Sequence, residues 1–185
     1  MKRIRIILIA SLCTYFVAAQ ENDDKALKDN YCVLDEVVSN LSTFDSSGQI
    51  LMYERANPFH NKQKIFTKEI FQELLFYPQI DTAKINHLIA TLDFEYLVSQ
   101  HQEVQNWDFS KIDSKVGKYE GTPEKLDGVQ RFEIAKPIYT KDRKMAFVYY
   151  YKTCGHIQCG SSMLMIYIKK KKRWKLYEQF GVPIL

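Results

Sequence analysis

Two neighbouring runs decide the fold: Lys144–Thr153, KMAFVYYYKT, and Ser162–Lys169, SMLMIYIK. Successive side chains of a strand point to opposite faces. In the first run Met145, Phe147, Tyr149 and Tyr151 therefore share one face, and Ala146, Val148 and Tyr150 the other. In the second, Met163, Met165 and Tyr167 oppose Leu164, Ile166 and Ile168. Both faces of both runs are apolar, which requires cover on each side, so these read as central strands. The next run, Arg173–Phe180, sets Trp174, Leu176 and Phe180 against Arg173, Lys175, Tyr177 and Gln179 and reads as half exposed.

Upstream, Val129–Thr140 alternates loosely around Pro137, which cannot donate to a ladder, and is expected as an edge strand or a bulge. A short strand is expected at Lys111–Val116, followed by a polar loop marked by Gly117, Gly121, Pro123 and Gly128. The N-terminal half is helical in pattern. Leu27, Tyr31, Leu34, Val38 and Leu41 recur at helical spacing over Asp23–Leu41, with Asp23 or Asp24 as a cap. Residues 42–63 read as a loop with an extended piece at Ile50–Tyr53. Thr67 is placed to cap Lys68–Phe76, Asp81 a helix through Ile85, Leu88, Ile89 and Leu92, and Asp93 one through Phe94, Leu97 and Val98. Helices first and strands after predict an α+β fold, N-terminal helices packed on a C-terminal antiparallel β-meander of four to five strands.

The 185 residues, 46% hydrophobic, suffice for one domain and exclude a disordered chain. Residues 1–19, MKRIRIILIASLCTYFVAA, have a basic start, an apolar run and small residues at Ala18 and Ala19. That is the order of a signal peptide cleaved after Ala19. An uncleaved anchor is the alternative, but the run Ile6–Ala19 is short of the roughly 20 residues that span a bilayer. Leu12 before Cys13 is too bulky for a lipoprotein site. The division expected is a leader at 1–19 and a single domain at 20–185, periplasmic or secreted. Three of the 26 Lys+Arg, namely Lys2, Arg3 and Arg5, belong to the leader. Against 22 Asp+Glu the remainder is nearly neutral, which gives no global support to nucleic-acid binding.

Four constellations are candidates for chemistry. Cys154 and Cys159 bracket Gly155–Gln158 in CGHIQCG. A disulfide across a hairpin mouth suits an oxidising compartment, with free thiols or a metal or redox site using His156 as alternatives. Cys32 reads as a buried free thiol. The basic run Lys169–Arg173, beside Trp174 and Tyr177, reads as a solvated turn, with anionic lipid or nucleic acid as the alternative partner. His101 and Glu103, near Asp93, Asp108 and His87, are candidates for a general base and its orienter, but a two-residue spacing points them apart on a helix. His60 and His156 have no evident partner. Finally Phe147, Tyr149, Tyr151, Tyr167 and Trp174 are core by the simplest reading, or the lining of an aromatic concavity formed by strands 144–153 and 162–169. No G-x-x-x-x-G-K-[ST], G-x-G-x-x-G, G-x-S-x-G or H-E-x-x-H is present, which disfavours nucleotide, α/β-hydrolase and zincin chemistry. Asn40-Leu41-Ser42 is a glycosylation pattern.

From Ile134 to Trp174, I-x-K-P-I-Y-x-K-D-x-K-x-A leads into an aromatic strand, a Cys/Gly tip, an apolar strand, a basic turn and W-K-L. This stretch resembles small exported proteins of Gram-negative bacteria to which no activity is assigned, and the resemblance implies none here. Helices followed by a meander ending in Trp-Lys also resemble, at fold level, nuclear-transport-factor-2-like domains, whose pocket hosts enzymes or ligand binding. The function expected is a non-enzymatic binding or interaction module using Phe147, Tyr149, Tyr151, Tyr167 and Trp174. Its partner would be a small molecule or an envelope protein, with no nucleic acid and with membrane contact only through the leader. No catalytic residue, metal ligand or cofactor is assigned. The alternatives are a small hydrolase or isomerase with a pocket His or carboxylate, and a structural envelope-associated protein.

Overall fold

The computed structural model describes residues 26–41, 50–56, 62–100, 105–112, 116–119, 130–153 and 160–182. The chain passes through helix α1 (residues 26–41), strands β1 (Ile50–Tyr53) and β2 (Arg55–Ala56), and helices α2 (Lys62–Ile65), α3 (Lys68–Glu73), α4 (Thr82–Thr91) and α5 (Phe94–Ser99). Strands β3 (Gln105–Asn106), β4 (Val116–Tyr119), β5 (Arg131–Ile134) and β6 (Ile138–Tyr139) follow, then β7 (Met145–Thr153), β8 (Ser161–Lys170) and β9 (Arg173–Gly181). The class is α+β, with helices in the N-terminal half and most strands in the C-terminal half.

The seven-stranded sheet has the order β4-β1-β5-β7-β8-β9, with β6 added beside β7. β5, β7, β8 and β9 form the antiparallel meander. The rest of the sheet corrects the expectation. β1 joins it between β4 and β5 and runs parallel to both, so the sheet is mixed and has more than four to five strands. The extended piece at Ile50–Tyr53 is thus a sheet strand whose Ile50 and Met52 are buried. The proposed strand at Lys111–Val116 is also displaced. Asp108 accepts a bond from the Ser110 amide and starts a short 3-10 helix at Phe109–Lys111, and pairing begins only at Val116.

The two-faced reading of β7 and β8 holds. Ala146, Val148, Tyr150, Met165 and Tyr167 pack with Val33, Leu34, Val37, Val38 and Leu41 of α1. Phe147, Leu164 and Ile166 pack with Phe66, Phe71, Ile85, Leu88 and Leu97 from the α2–α5 side. The sheet is therefore enclosed between one helix and a layer of short ones. Trp107 completes the α1 side, its Nε1–H donating to the Ile134 carbonyl at 3.0 Å and its ring meeting Tyr31 edge-on. Leu27, grouped with the α1 stripe by spacing, is exposed instead.

Local capping follows the sequence. The Thr67 hydroxyl accepts from the Ile70 amide at 3.2 Å, Asp81 from Ala83 and Lys84, and Asp93 from Tyr96 at 2.9 Å. The Asp93 cap makes α4 and α5 separate helices. The caps proposed at Asp23 and Asp24 lie outside the described residues.

Three further expectations change. The Val129–Thr140 segment divides: β5 is not an edge, since it sits between β1 and β7, whereas β6 pairs with β7 alone. The segment does hold a bulge: Ile134 faces Tyr150 while Ile138 faces Phe147, so four steps on one side match three on the other across Pro137. In β9 the register slips, with Tyr167 opposite Leu176 but Ile166 opposite Glu178. The extra residue, Tyr177, reverses the alternation, because a one-residue slip exchanges the faces. Trp174 and Leu176 accordingly pack on the α1 side, and Phe180 and Tyr177 on the other. Cys32 is a free thiol on α1, but it is exposed rather than buried, because Val33 and Leu34 carry the inward face.

Candidate functional site

Between α4, α5 and the sheet lies a cleft of about 620 Å³, within the ~300–1,000 Å³ range of small-molecule sites. Its floor is apolar: Leu92 and Leu97 on the helix side, Met145 and Ile168 from the strands, and the rings of Tyr96 and Tyr177. Tyr177 reaches it because strand alternation puts it on the face opposite Trp174 and Leu176. His87 and Thr91 of α4 stand at one side, and the turn joining β6 to β7 supplies Thr140, Lys141, Asp142 and Lys144 on another.

The walls are held by dense local bonding. In the turn, the Arg143 amide donates to the Thr140 carbonyl at 2.8 Å, and the Thr140 hydroxyl donates to Asp142 Oδ1 at 2.7 Å. Asp142 Oδ1 also accepts the Lys144 amide. Arg143 adopts the left-handed conformation at φ 53, which disfavours residues with a Cβ. Its guanidinium lies 4.3 Å from the Tyr139 ring centre and 3.5 Å from Asp29. Asp29, buried on α1, also holds Lys169 Nζ at 2.7 Å. On the helix side, the Gln100 amide group clamps α5 to β6, donating to the Tyr139 carbonyl at 2.7 Å and accepting its amide at 3.0 Å. Lys141 Nζ reaches Asp93 at 2.7 Å and lies 5.1 Å from the Tyr96 ring centre. The cleft is thus fixed before any ligand enters, which lowers the ordering cost of binding.

Both carboxylates of the cleft have structural work. The Lys141 ammonium, and then the Tyr96 amide, hold the Asp93 carboxyl below its usual range. The Thr140 hydroxyl, and then the Lys144 amide, do the same for Asp142. A general acid or base needs a pKa near the working pH and a free lone pair or proton, and neither aspartate has that combination. Burial raises the pKa of Tyr177, so its hydroxyl stays a neutral donor and acceptor at the floor. Among the described residues no three His, Cys, Asp or Glu side chains converge as metal ligands.

The five aromatic residues selected from sequence do not line this cleft. Phe147, Tyr167 and Trp174 are buried core, Phe147 on the α2–α5 side and the other two on the α1 side. Tyr149 is partly buried against the α2–α5 core. Tyr151 lies so close over Gly160 that a Cβ there would meet its hydroxyl. Strands β7 and β8 do contribute, but through their ends, Met145 and Ile168. Of the polar candidates, His87 and Asp93 come together at the cleft, while Asp108 caps its 3-10 turn elsewhere. His60, His101, Glu103, Cys154, His156 and Cys159 lie outside the described residues. No protein-family model, curated protein or solved structure matches this chain.

Proposed function

We propose that this protein is a non-enzymatic binding module whose ligand site is the cleft between α4, α5 and the ends of β7 and β8. The observation that carries this reading is a preformed, mostly apolar cleft of about 620 Å³ whose two carboxylates are both committed to caps and lysines. Apolar area supplies affinity, and the few polar groups at the mouth supply orientation. A hydrolase or isomerase reading would need a free acid–base pair at the floor, and the floor is Leu, Met, Ile and Tyr.

The test uses a neutral solvatochromic dye, Nile red, and the variant Thr91→Trp. Thr91 is exposed on α4 at the cleft, so the larger ring fills the site without entering the core. The expected result is saturable, blue-shifted fluorescence with the natural protein, reduced at least about tenfold in affinity by the variant. Equal binding by both proteins, or none by the natural one, would contradict the proposal.

The proposal includes export. The basic start, the apolar run and Ala18-Ala19 support a cleaved leader, and a Cys154–Cys159 disulfide would suit the oxidising compartment beyond it. N-terminal sequencing of the protein made in an exporting cell should begin at Gln20. A chain beginning at Met1 would overturn that part.

A further inference from the structure

The ends of β8 and β9 carry the cleft floor outward. Residues directly opposite on antiparallel strands share a face. The pairs Ile168↔Lys175 and Lys170↔Arg173 therefore put all four side chains on the side that Ile168 and Lys170 present to the cleft. Along this face the side chains pass from buried Leu164 and Ile166, through Ile168, to exposed Lys170, Arg173 and Lys175.

Lys170 and Arg173 stand directly opposite one another, and like charges in that position oppose strand pairing. Among the described residues none of these three cations has a carboxylate within ion-pair distance. The nearby acids are already engaged: Asp93 with Lys141, Asp142 with Lys144, and Glu178 with Lys84. Lys169, which also lines the cleft, has its ammonium on Asp29. An apolar floor thus opens onto three adjacent cations that have no counter-charge among the described residues.

We infer that the ligand of this cleft is an anionic amphiphile, with its apolar part against Leu97, Met145, Ile168 and Tyr177 and its carboxylate, sulfate or phosphate on Lys170, Arg173 and Lys175. This rests on the cleft being the binding site and adds the chemistry of what binds. An anion there relieves the repulsion between Lys170 and Arg173 and meets three cations at once. The hydrocarbon part removes apolar surface from water. A neutral amphiphile of equal length keeps the second gain and loses the first. Because the cations are exposed, the anionic contribution must weaken as salt is added.

The experiment displaces Nile red with decanoate or with 1-decanol, both below their self-association limits, at low and high salt. It compares the natural protein with the triple variant Lys170→Gln, Arg173→Gln, Lys175→Gln, whose changes are all on exposed side chains. Decanoate should displace the dye from the variant about tenfold less effectively, and the difference should shrink at high salt. Decanol should act equally on both. Equal displacement by decanoate from the two proteins overturns the inference and leaves the cleft as a site for neutral ligands. Displacement by neither amphiphile overturns both the inference and the binding reading. Charge-dependent binding to anionic lipid vesicles, without displacement by monomeric decanoate, assigns the cations to a membrane surface and overturns the inference as well.

Discussion

Phe147→Ala lowers the unfolding free energy by about 4 kcal/mol, the usual loss for a buried phenylalanine whose cavity cannot close. Phe147 has no solvent exposure, and its ring meets Phe66 edge-on at 5.3 Å. It sits in the middle of β7, opposite Ile138 on one neighbour and Ile166 on the other. Three strands and the α2 side converge on it, so truncation removes contacts that no single element can replace. Against a domain stability of roughly 5–15 kcal/mol this is a large fraction. Urea denaturation followed by far-UV circular dichroism should show a lower midpoint with an unchanged slope. Phe76→Ala is the control: Phe76 is 86% exposed, and its loss should change stability by no more than about 0.5 kcal/mol. A Phe147→Ala protein of natural stability would mean that this ring lines a site rather than the core.

The second large effect is a loss of stability in base. Burial raises the pKa of Tyr139 and Tyr167 far above the ordinary 10.0. Both are acids kept protonated by the fold. Above pH 10 the unfolded chain therefore binds fewer protons than the native one, and stability falls as pH rises. Below pH 10 both states hold the phenolic protons and the contribution is constant. Each tyrosine adds a slope of about 1.4 kcal/mol per pH unit, or about 3 kcal/mol for the pair. Urea midpoints should be level near pH 9 and fall steeply above pH 10. Tyr167→Phe is the informative variant, because its hydroxyl makes only 3.4 Å contacts with Asn40 and Met165. The variant should fold normally and lose about 1.4 kcal/mol per pH unit of an alkaline slope to which Tyr53, Tyr149, Tyr150 and Tyr177, also raised by burial, add their shares. An unchanged slope would show that the Tyr167 hydroxyl ionises freely in the native state.

Local signals were legible. Thr67, Asp81 and Asp93 act as caps because a cap needs only its own backbone and the next turn. The two apolar faces of β7 and β8 were legible because strand alternation has a fixed period. The features that escaped all depend on distant or added residues. Nothing in Ile50–Tyr53 announces that it runs parallel between β4 and β5, partners that follow it far along the chain. The bulge at Tyr177 inserts one residue and moves Phe180 to the face opposite Trp174, which alternation alone cannot foresee.

The cleft was hidden for the same reason. Its walls join α4 and α5 to the turn before β7, and the Lys141–Asp93 contact spans 48 positions. Of the aromatic residues that stood out in β7, β8 and β9, Phe147, Tyr167 and Trp174 are core and Tyr149 packs against it. The cleft took its rings from Tyr96, which looks unremarkable in sequence, and from Tyr177, which drew notice only beside the basic run. A usable signal did exist in Lys170, Arg173 and Lys175. Two residues separate Lys170 from Arg173, so a two-residue hairpin turn sets them opposite each other as like charges.

The most direct test of the binding account is a crystal structure of the protein grown with decanoate. The account predicts one ligand in the cleft, its chain against Leu97, Met145 and Ile168 and its carboxylate turned to Lys170 and Arg173. A ligand seated elsewhere, or a cleft that stays empty at saturating decanoate, would contradict it.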